Sequence, residues 1–437
     1  MRLVPLMAAT FFMVSGGPYG IEDILGGAGY AWAFVLLLSL PFLWSLPTAL
    51  MIGELASAIP AEGGFYVWVR RAMGPFWGFQ EAWLSLAASI FDMAIYPTLF
   101  TLYLERLAPA LTAGHRAVWW SLAVLAACLV WNLLGAASVG TGSVWLMCLL
   151  LAPFAVLVVG GLRHAAPAGA GHALPHLDFA TAFLVALWNY MGWDNASTVA
   201  GEVDRPQRSY PRAMMGAAAL VTVSYVLPTF AAWRAGLPLA SFSTGSWAEA
   251  ARLLVGPWLA LAIVAGGMVN GFGMCNALML SYTRLPVALA QDGFLPRAFA
   301  LQNRSGAPWL AILACAGGWA LALNLTFERL ISIDLVLYGG SLVLEFLALA
   351  ILRRSEPQME RPFRIPGGTA ACVLLGIPPT LLIGMALYMA RGERIADRPA
   401  LLLALIVALL GPVAYALGAP RRGAAARATA EEEAVSS

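Results

Sequence analysis

The chain is 437 residues long, 61% hydrophobic and 11% charged, with a formal net charge of +2. Its repeated apolar runs exceed about 18 residues, which marks a polytopic helical membrane protein and leaves no stretch for a soluble domain. A charge so near neutrality gives no footing for nucleic acid, and the 25 basic residues, all arginine, reflect a compositional bias.

The first apolar stretch, Leu3 to Val14, covers only about 18 Å of a hydrocarbon core about 30 Å thick. It runs into Ser15-Gly16-Gly17-Pro18-Tyr19-Gly20-Ile21-Glu22-Asp23. Three glycines and a proline so close together cannot continue a helical ladder, and backbone groups freed at that depth survive only against a polar cavity. The N-terminus lacks a basic n-region and an A-x-A site, so it reads as a first span, Leu3 to Leu25, broken near 15–20, rather than as a signal peptide. Spans are expected next near Trp32 to Ala56, Pro75 to Leu104, Ala117 to Leu134 and Val144 to Leu162. The sixth, Phe179 to Ala200, is broken near 189–195 at Trp188-Asn189-Tyr190-Met191-Gly192-Trp193-Asp194-Asn195 and is expected to resume as helix from Ala196. Six more are expected near Ala213 to Trp233, Gly256 to Tyr282, Pro308 to Leu325, Leu330 to Leu352, Ala370 to Ala390 and Leu401 to Leu417, about twelve in all.

The two breaks each open a set of five spans, and an odd number of spans per set makes the copies inverted. The expected organisation is therefore a first repeat over 1–162, a second over 178–354, two further spans over 369–418 and an unstructured cytoplasmic tail over 419–437. With the N-terminus inside, inner segments carry 16 arginines and outer loops nine, which puts both termini in the cytoplasm of a plasma (inner) membrane protein.

Five cysteines lie within apolar spans and four histidines in loops, without metal-ligand spacing. His115, His164, His172 and His176 read as loop residues, and Trp68, Trp77, Trp119, Trp120 and Trp309 as interfacial anchors. Neither a metal, a cofactor nor an enzymatic constellation is expected. On the third span, Glu81, Ser85, Ser89, Asp92 and Tyr96 recur at spacings of three and four and share one helical face. A carboxylate inside a span costs about 2.5–3.5 kcal/mol and normally faces a cavity. Asp194 lies within the second break, and no span carries an arginine in its interior, so the site suits a cation or a proton. Glu22 and Asp23 are either cavity acids or N-terminal charge on the resumed half-helix. Glu345, near Tyr338 in the tenth span, reads as a proton relay or a structural pair. The freed N–H groups at Gly16, Gly17 and Gly20 could hold a carboxylate, and Tyr19, Tyr96, Trp188 and Trp193 could meet an alkyl chain or an ammonium group.

Together, the Ser15–Asp23 run, Gly53-Glu54-Leu55-Ala56, Gly63-Gly64-Phe65-Tyr66-Val67-Trp68, Gly74-Pro75-Phe76-Trp77-Gly78-Phe79-Gln80-Glu81, Asp92 with Tyr96-Pro97, Trp188-Asn189, Trp193-Asp194, Ala200-Gly201-Glu202, Leu344-Glu345-Phe346 and Arg361-Pro362-Phe363 resemble the amino acid, polyamine and organocation transporter superfamily. Within it, the likeness is to the polyamine uptake transporters of plants and protozoa, and it runs almost end to end. It implies an all-α LeuT-type fold with five-plus-five inverted repeats, import driven by protons and a cationic substrate. Carried over by position, it implies Asp92, Trp193 and Asp194 as binding residues and Glu54 and Glu202 as inner-gate or scaffold residues. Where eukaryotic members place acids along the eighth span, Asn270, Asn276, Leu278 and Tyr282 stand here, and the fifth span holds no buried basic residue.

The expected function is a secondary active importer of polyamines or cationic amino compounds working by alternating access, with the proton as symported ion and the lipid bilayer as the other partner. Ser15, Gly16, Gly17, Tyr19, Gly20, Asp92, Tyr96, Trp188, Asn189, Trp193 and Asp194 are its expected binding residues. Asp92, Asp194 and Glu345 are the expected proton carriers, and Glu22, Asp23, Glu54 and Glu202 the gate or scaffold. The alternative is a neutral or broad-specificity amino acid permease.

Overall fold

The computed structural model describes the backbone of residues 1–164, 177–323, 327–395 and 398–436, and the side chains of the same residues except 327–332, 395 and 419–436. His172 and His176 lie outside the described residues; His115 and His164 are exposed. The described chain is helical almost throughout, its only strands being the two-residue pair Arg394–Ile395 and Arg398–Pro399.

Helix α1 (Leu3–Val14) stops where the sequence predicts, and α2 resumes at Glu22 (Glu22–Leu40). Gly29, at φ 71, turns a corner inside α2, so only its first turns belong to the first span. The chain then passes a π-helical segment at Pro41–Ser45, where a proline removes a backbone donor, into α3 (Leu46–Ala58). After the short α4 (Phe65–Met73) comes α5 (Pro75–Leu107), whose 33 residues extend about 50 Å. A single turn, α6 (Pro109–Thr112), leads to α7 (Arg116–Asn132) and α8 (Ala136–Arg163). The last begins well before the expected Val144, because Thr141 and Ser143 return their hydroxyls to the carbonyls of Ala137 and Val139 at 2.9 Å each and so tolerate the helix.

Helix α9 (Phe179–Trp188) ends at the second predicted break. Beyond the break the chain continues as 3-10 helix at Trp193–Thr198 and Ala200–Glu202, which corrects the expected α-helical resumption. Thr198 Oγ1 donates to the Asn195 carbonyl at 2.9 Å, a local bond that competes with an α-ladder, and Ser281 Oγ reaches across to Asn195 Oδ1 at 2.7 Å. Next come α10 (Pro206–Arg234), α11 (Trp247–Leu254), α12 (Pro257–Tyr282), α13 (Arg284–Gln291), α14 (Trp309–Ala322), α15 (Phe327–Ser355), α16 (Gly368–Met389) and α17 (Ala400–Ser436). Helix α17 runs on past residue 419, so the expected unstructured tail begins as helix.

Among the described residues, eight helical stretches are long and apolar enough to cross a bilayer, and Leu3–Val14, Arg116–Asn132 and Trp309–Ala322 are shorter apolar helices. Helix α1 lies at the centre, buried from Ala8 to Val14 and packed on α8, α10 and α12. Beside it, α5 packs on both α12 and α15. Trp77, Trp119, Trp120 and Trp309 are exposed, in keeping with an interfacial place. Trp68 is not: it is fully buried and donates its indole N–H to the Ile59 carbonyl at 3.2 Å.

Candidate functional site

The two breaks meet. Gly17, Gly20 and Gly192 have φ of 71°, 90° and 90°, in the left-handed region where a side chain is strained. Any Cβ at Gly192 would also run into the Met13 carbonyl, the last turn of α1. The loose backbone groups find local partners: Gly17 N–H donates to Ser15 Oγ at 3.0 Å, Gly20 N–H to Glu22 Oε2 at 2.7 Å, and Gly192 N–H to Tyr338 Oη at 2.9 Å.

Between the breaks lies a cavity of about 20 Å³, room for one water molecule and for no organic substrate. Its walls come from α1 (Met13, Val14), α5 (Asp92, Tyr96), the second break (Trp188, Met191, Gly192, Asn195), α12 (Met274, Tyr282) and α15 (Asp334, Tyr338). Asp92 accepts from Tyr96 Oη at 2.5 Å and from Tyr282 Oη at 3.0 Å, and the Trp188 indole also interacts with it. The Tyr96 and Trp188 rings stack 6.2 Å apart. Asp194 sits beside the cavity wall, accepting from Tyr338 Oη at 2.5 Å.

Helices α5 and α15 carry further acids. Ser85 Oγ and Ser341 Oγ are 2.9 Å apart, and Ser341 donates to Glu81. The helices run antiparallel, so residues whose numbers share one total face each other: 81 with 345, 85 with 341, 92 with 334. Two carboxyl rungs result, Asp92 and Asp334 at the cavity and Glu81 and Glu345 eleven residues along each helix, roughly 16 Å away. Asp194 interacts electrostatically with all four. All five acids are buried.

The structure therefore gathers Asp92, Tyr96 and Trp188 at the cavity and leaves other expected binding residues behind its wall. Ser15, Gly17 and Gly20 are engaged within the first break. Gly16 is pressed against Asn270. Tyr19 donates to the Ile263 carbonyl at 2.7 Å and packs edge-on to Tyr103 and Phe154. Asn189 donates back to Val185 at 2.8 Å and its carbonyl accepts from Tyr225 Oη at 2.7 Å. Trp193 is wholly buried outside the cavity lining. Sequence reasoning missed Asp334 and did not use Tyr282. The signal for the first was present: Asp334, Tyr338, Ser341 and Glu345 are spaced by four, three and four, the pattern that singled out α5.

Both faces are closed. On the face away from the N-terminus, Glu22 accepts from Gly20 N–H and, at 3.0 Å, from Gly245 N–H, while Asp23 accepts from the Thr244 N–H at 3.0 Å and its hydroxyl at 2.6 Å. Trp247 caps the first break through its N–H to the Pro18 carbonyl at 2.7 Å. On the N-terminal face, Gly63 N–H donates to the Thr198 carbonyl at 2.9 Å, Asp292 is held by Arg70 and Tyr66, and Glu202 pairs with the buried Arg284 at 2.9 Å. Glu62, in the loop before α4, has its pKa raised, by burial first, against the lowering by Arg284 and with a further rise from Glu202. Glu54 is wholly buried, paired with Arg353, bonded by Ile365 N–H at 2.8 Å and 3.2 Å from Arg361. It ties α3 to α15 and lies outside the cavity lining.

Residues 7–422 match the family model described as amino acid permease. The chain is 36% identical over 388 residues to the polyamine transporter PUT1 of Oryza sativa subsp. japonica, covering 88% of this chain and 73% of that one. It is 35% identical over 387 residues to the polyamine transporter RMV1 of Arabidopsis thaliana, covering 88% and 79%. Against the serine/threonine exchanger SteT of Bacillus subtilis (strain 168) it is 28% identical over 426 residues, covering 94% and 93%.

Proposed function

The chain belongs to the amino acid permease family of the amino acid, polyamine and organocation superfamily, and from that membership as a multi-pass transporter we propose that it imports polyamines or related organic cations with protons. The observation that carries this reading is the set of five buried acids, Glu81, Asp92, Asp194, Asp334 and Glu345, with the buried arginines Arg284 and Arg353 engaged elsewhere by Glu202 and Glu54. Buried carboxylates demand a counter-charge, which here is a proton or a cationic guest. Asp92 is dressed for the second role: two tyrosyl hydroxyls hold its oxygens and the Trp188 and Tyr96 rings border the same space, an arrangement suited to an ammonium group.

The mechanism in this reading is alternating access about the touching breaks of α1 and α9, within twelve spans arranged as five-plus-five inverted repeats of LeuT type. The N-terminal face is cytoplasmic, as the arginine distribution favours, in a plasma (inner) membrane. Opening one face releases either the Glu22–Asp23 ties or the Glu202–Arg284 and Asp292 ties. Asp92, Asp194 and Glu345 are the candidate proton carriers. An inside-negative potential adds about 2.3 kcal/mol per 100 mV for each positive charge moved inward.

The test is uptake of labelled putrescine or spermidine into proteoliposomes, with and without a pH gradient. Accumulation that rises with the gradient supports the reading; saturable uptake of a neutral amino acid with none of either amine overturns it. The amino acid reading is supported by the similarity to SteT, and a thermal shift with leucine or alanine tests it. Against it stands the first break, where the Gly17 and Gly20 N–H groups that would hold a substrate carboxylate are already engaged by Ser15 and Glu22.

A further inference from the structure

The inner rung of the α5–α15 ladder has chemistry unlike that of the rung at the cavity. Glu345 is wholly buried, and neither of its carboxyl oxygens has a hydrogen-bond partner; Glu81 Oε2 has none either, its other oxygen being held by Ser341. The charged groups that act on Glu345 are Asp194, from the 3-10 turn, and Glu81, from α5, both acids. On its own helix it faces Tyr338, whose hydroxyl is committed to Asp194, and Ser341. Helices α4, α16 and α17 also pack on α15, and none pairs a cation with Glu345 among the described residues.

Asp92 and Glu345 thus divide the two kinds of counter-charge. Donors aimed at a carboxylate favour its charged form, and Asp92 accepts two hydroxyls in a space that adjoins the substrate cavity. Each rung sets one carboxyl against another, and two such groups in a dry site cannot both be ionised; what sets Glu345 apart is that it accepts no hydrogen bond and lies outside the cavity lining. Glu81 and Glu345 line no part of the cavity, and Tyr338 and Ser341, which lie between Asp334 and Glu345 along α15, are bonded to Asp194 and Glu81; a proton needs no lined space where an organic cation does.

We propose that the Glu81–Glu345 carboxyl pair is a proton-binding site distinct from the Asp92–Asp334 rung that receives the cationic substrate, and that the proton moved in each cycle occupies it. This rests on the cation-import reading above. The step is proton transfer alone. A carboxyl O–H of the pair breaks when the N-terminal face opens, water taking the proton, and it is remade from the other side by way of Asp194 and the Tyr338 hydroxyl. Substrate and proton are then linked through Asp194, which interacts with both rungs.

The experiment compares wild type with Glu345→Gln in proteoliposomes, reading diamine counterflow and accumulation driven by a pH gradient. One proton per cycle multiplies the wild-type accumulation ratio by about tenfold per pH unit. In Glu345→Gln whatever exchange remains no longer responds to the gradient, and Glu81→Gln shows the same loss. Glu345→Gln that still accumulates diamine in proportion to the gradient overturns the assignment. Wild type that exchanges no organic cation overturns the underlying reading instead. The infrared carboxyl C=O band of substrate-free protein gives an arm that needs no transport. A protonated-carboxyl band at neutral pH that is shifted or reduced in Glu345→Gln and in Glu81→Gln and lost when both are replaced supports the site, and a spectrum unchanged by all three substitutions overturns it.

Discussion

Asp92 and Asp194 carry acidic side chains into one dry centre, but their neighbours differ, and so do the expected consequences of losing them. Asp92→Asn keeps the shape and removes a charge that two hydroxyls and an ammonium group would share. The KM for a diamine should rise by roughly ten- to a hundredfold, the loss of a hydrogen bond to a charged group. Asp194→Asn should weaken binding of a diamine more than that of a neutral amino acid, measured by competition in the same vesicles; equal losses would make Asp194 a support for Tyr338. Asp92 and Tyr96 are legible because spacings of three and four along α5 align them with Glu81 and Ser85. Asp334 obeys the same rule on α15 and is found by applying it there. In the sequence, Gly17 and Gly20 read as open donors and Ser15 and Asn189 as binding residues. Their engagement by Glu22, Tyr225 and one another depends on side chains distant in sequence or on rotamers that spacing does not fix.

At the scale of elements, both breaks are visible as glycine and proline interruptions too deep for the bilayer to tolerate. That they touch is not, because contact between Gly192 and Met13 is set by how α1 and α9 pack. Gly192→Ala adds a methyl group against a carbonyl in a left-handed conformation, which alone costs about 1–2 kcal/mol. Gly114 also has a positive φ, 62°, but open space around it, so Gly114→Ala bears backbone strain without the clash. Transport should be lost in Gly192→Ala and kept in Gly114→Ala, and comparable loss in both would refute the contact between the breaks. The scaffold has its own weak point in Glu54, buried with Arg353. Removing one partner of a buried pair costs about 3–5 kcal/mol, so Glu54→Ala should lower the Tm of detergent-solubilised protein markedly while an exposed change such as Glu249→Ala does not. The 3-10 stretch after Trp193 reads as α-helix in sequence because its apolar and small residues carry no period that separates the two, and the deciding bonds from Ser281 and Thr198 are tertiary or local.

For the whole molecule, closure on the N-terminal face should respond to pH through Glu62. Burial, opposed by Arg284 and aided by Glu202, raises its folded pKa above the ordinary glutamate value near 4.3. A raised acid contributes stability that is fully present below the unfolded value and is lost as pH climbs through the raised one. Hydrogen exchange over 59–64, corrected for intrinsic rate, should therefore be slower in acid than at neutral pH, and Glu62→Gln should flatten the difference; a flat wild-type profile would count against it. The closed form also has a bearing on energy conversion. A centre with room for one water molecule holds no file of water within itself along which small ions could hop. In the cation-import reading, that centre spares the voltage and pH difference from dissipation between turnovers, and a variant that hollows it should reveal itself as a leak before it reveals itself as a slower carrier.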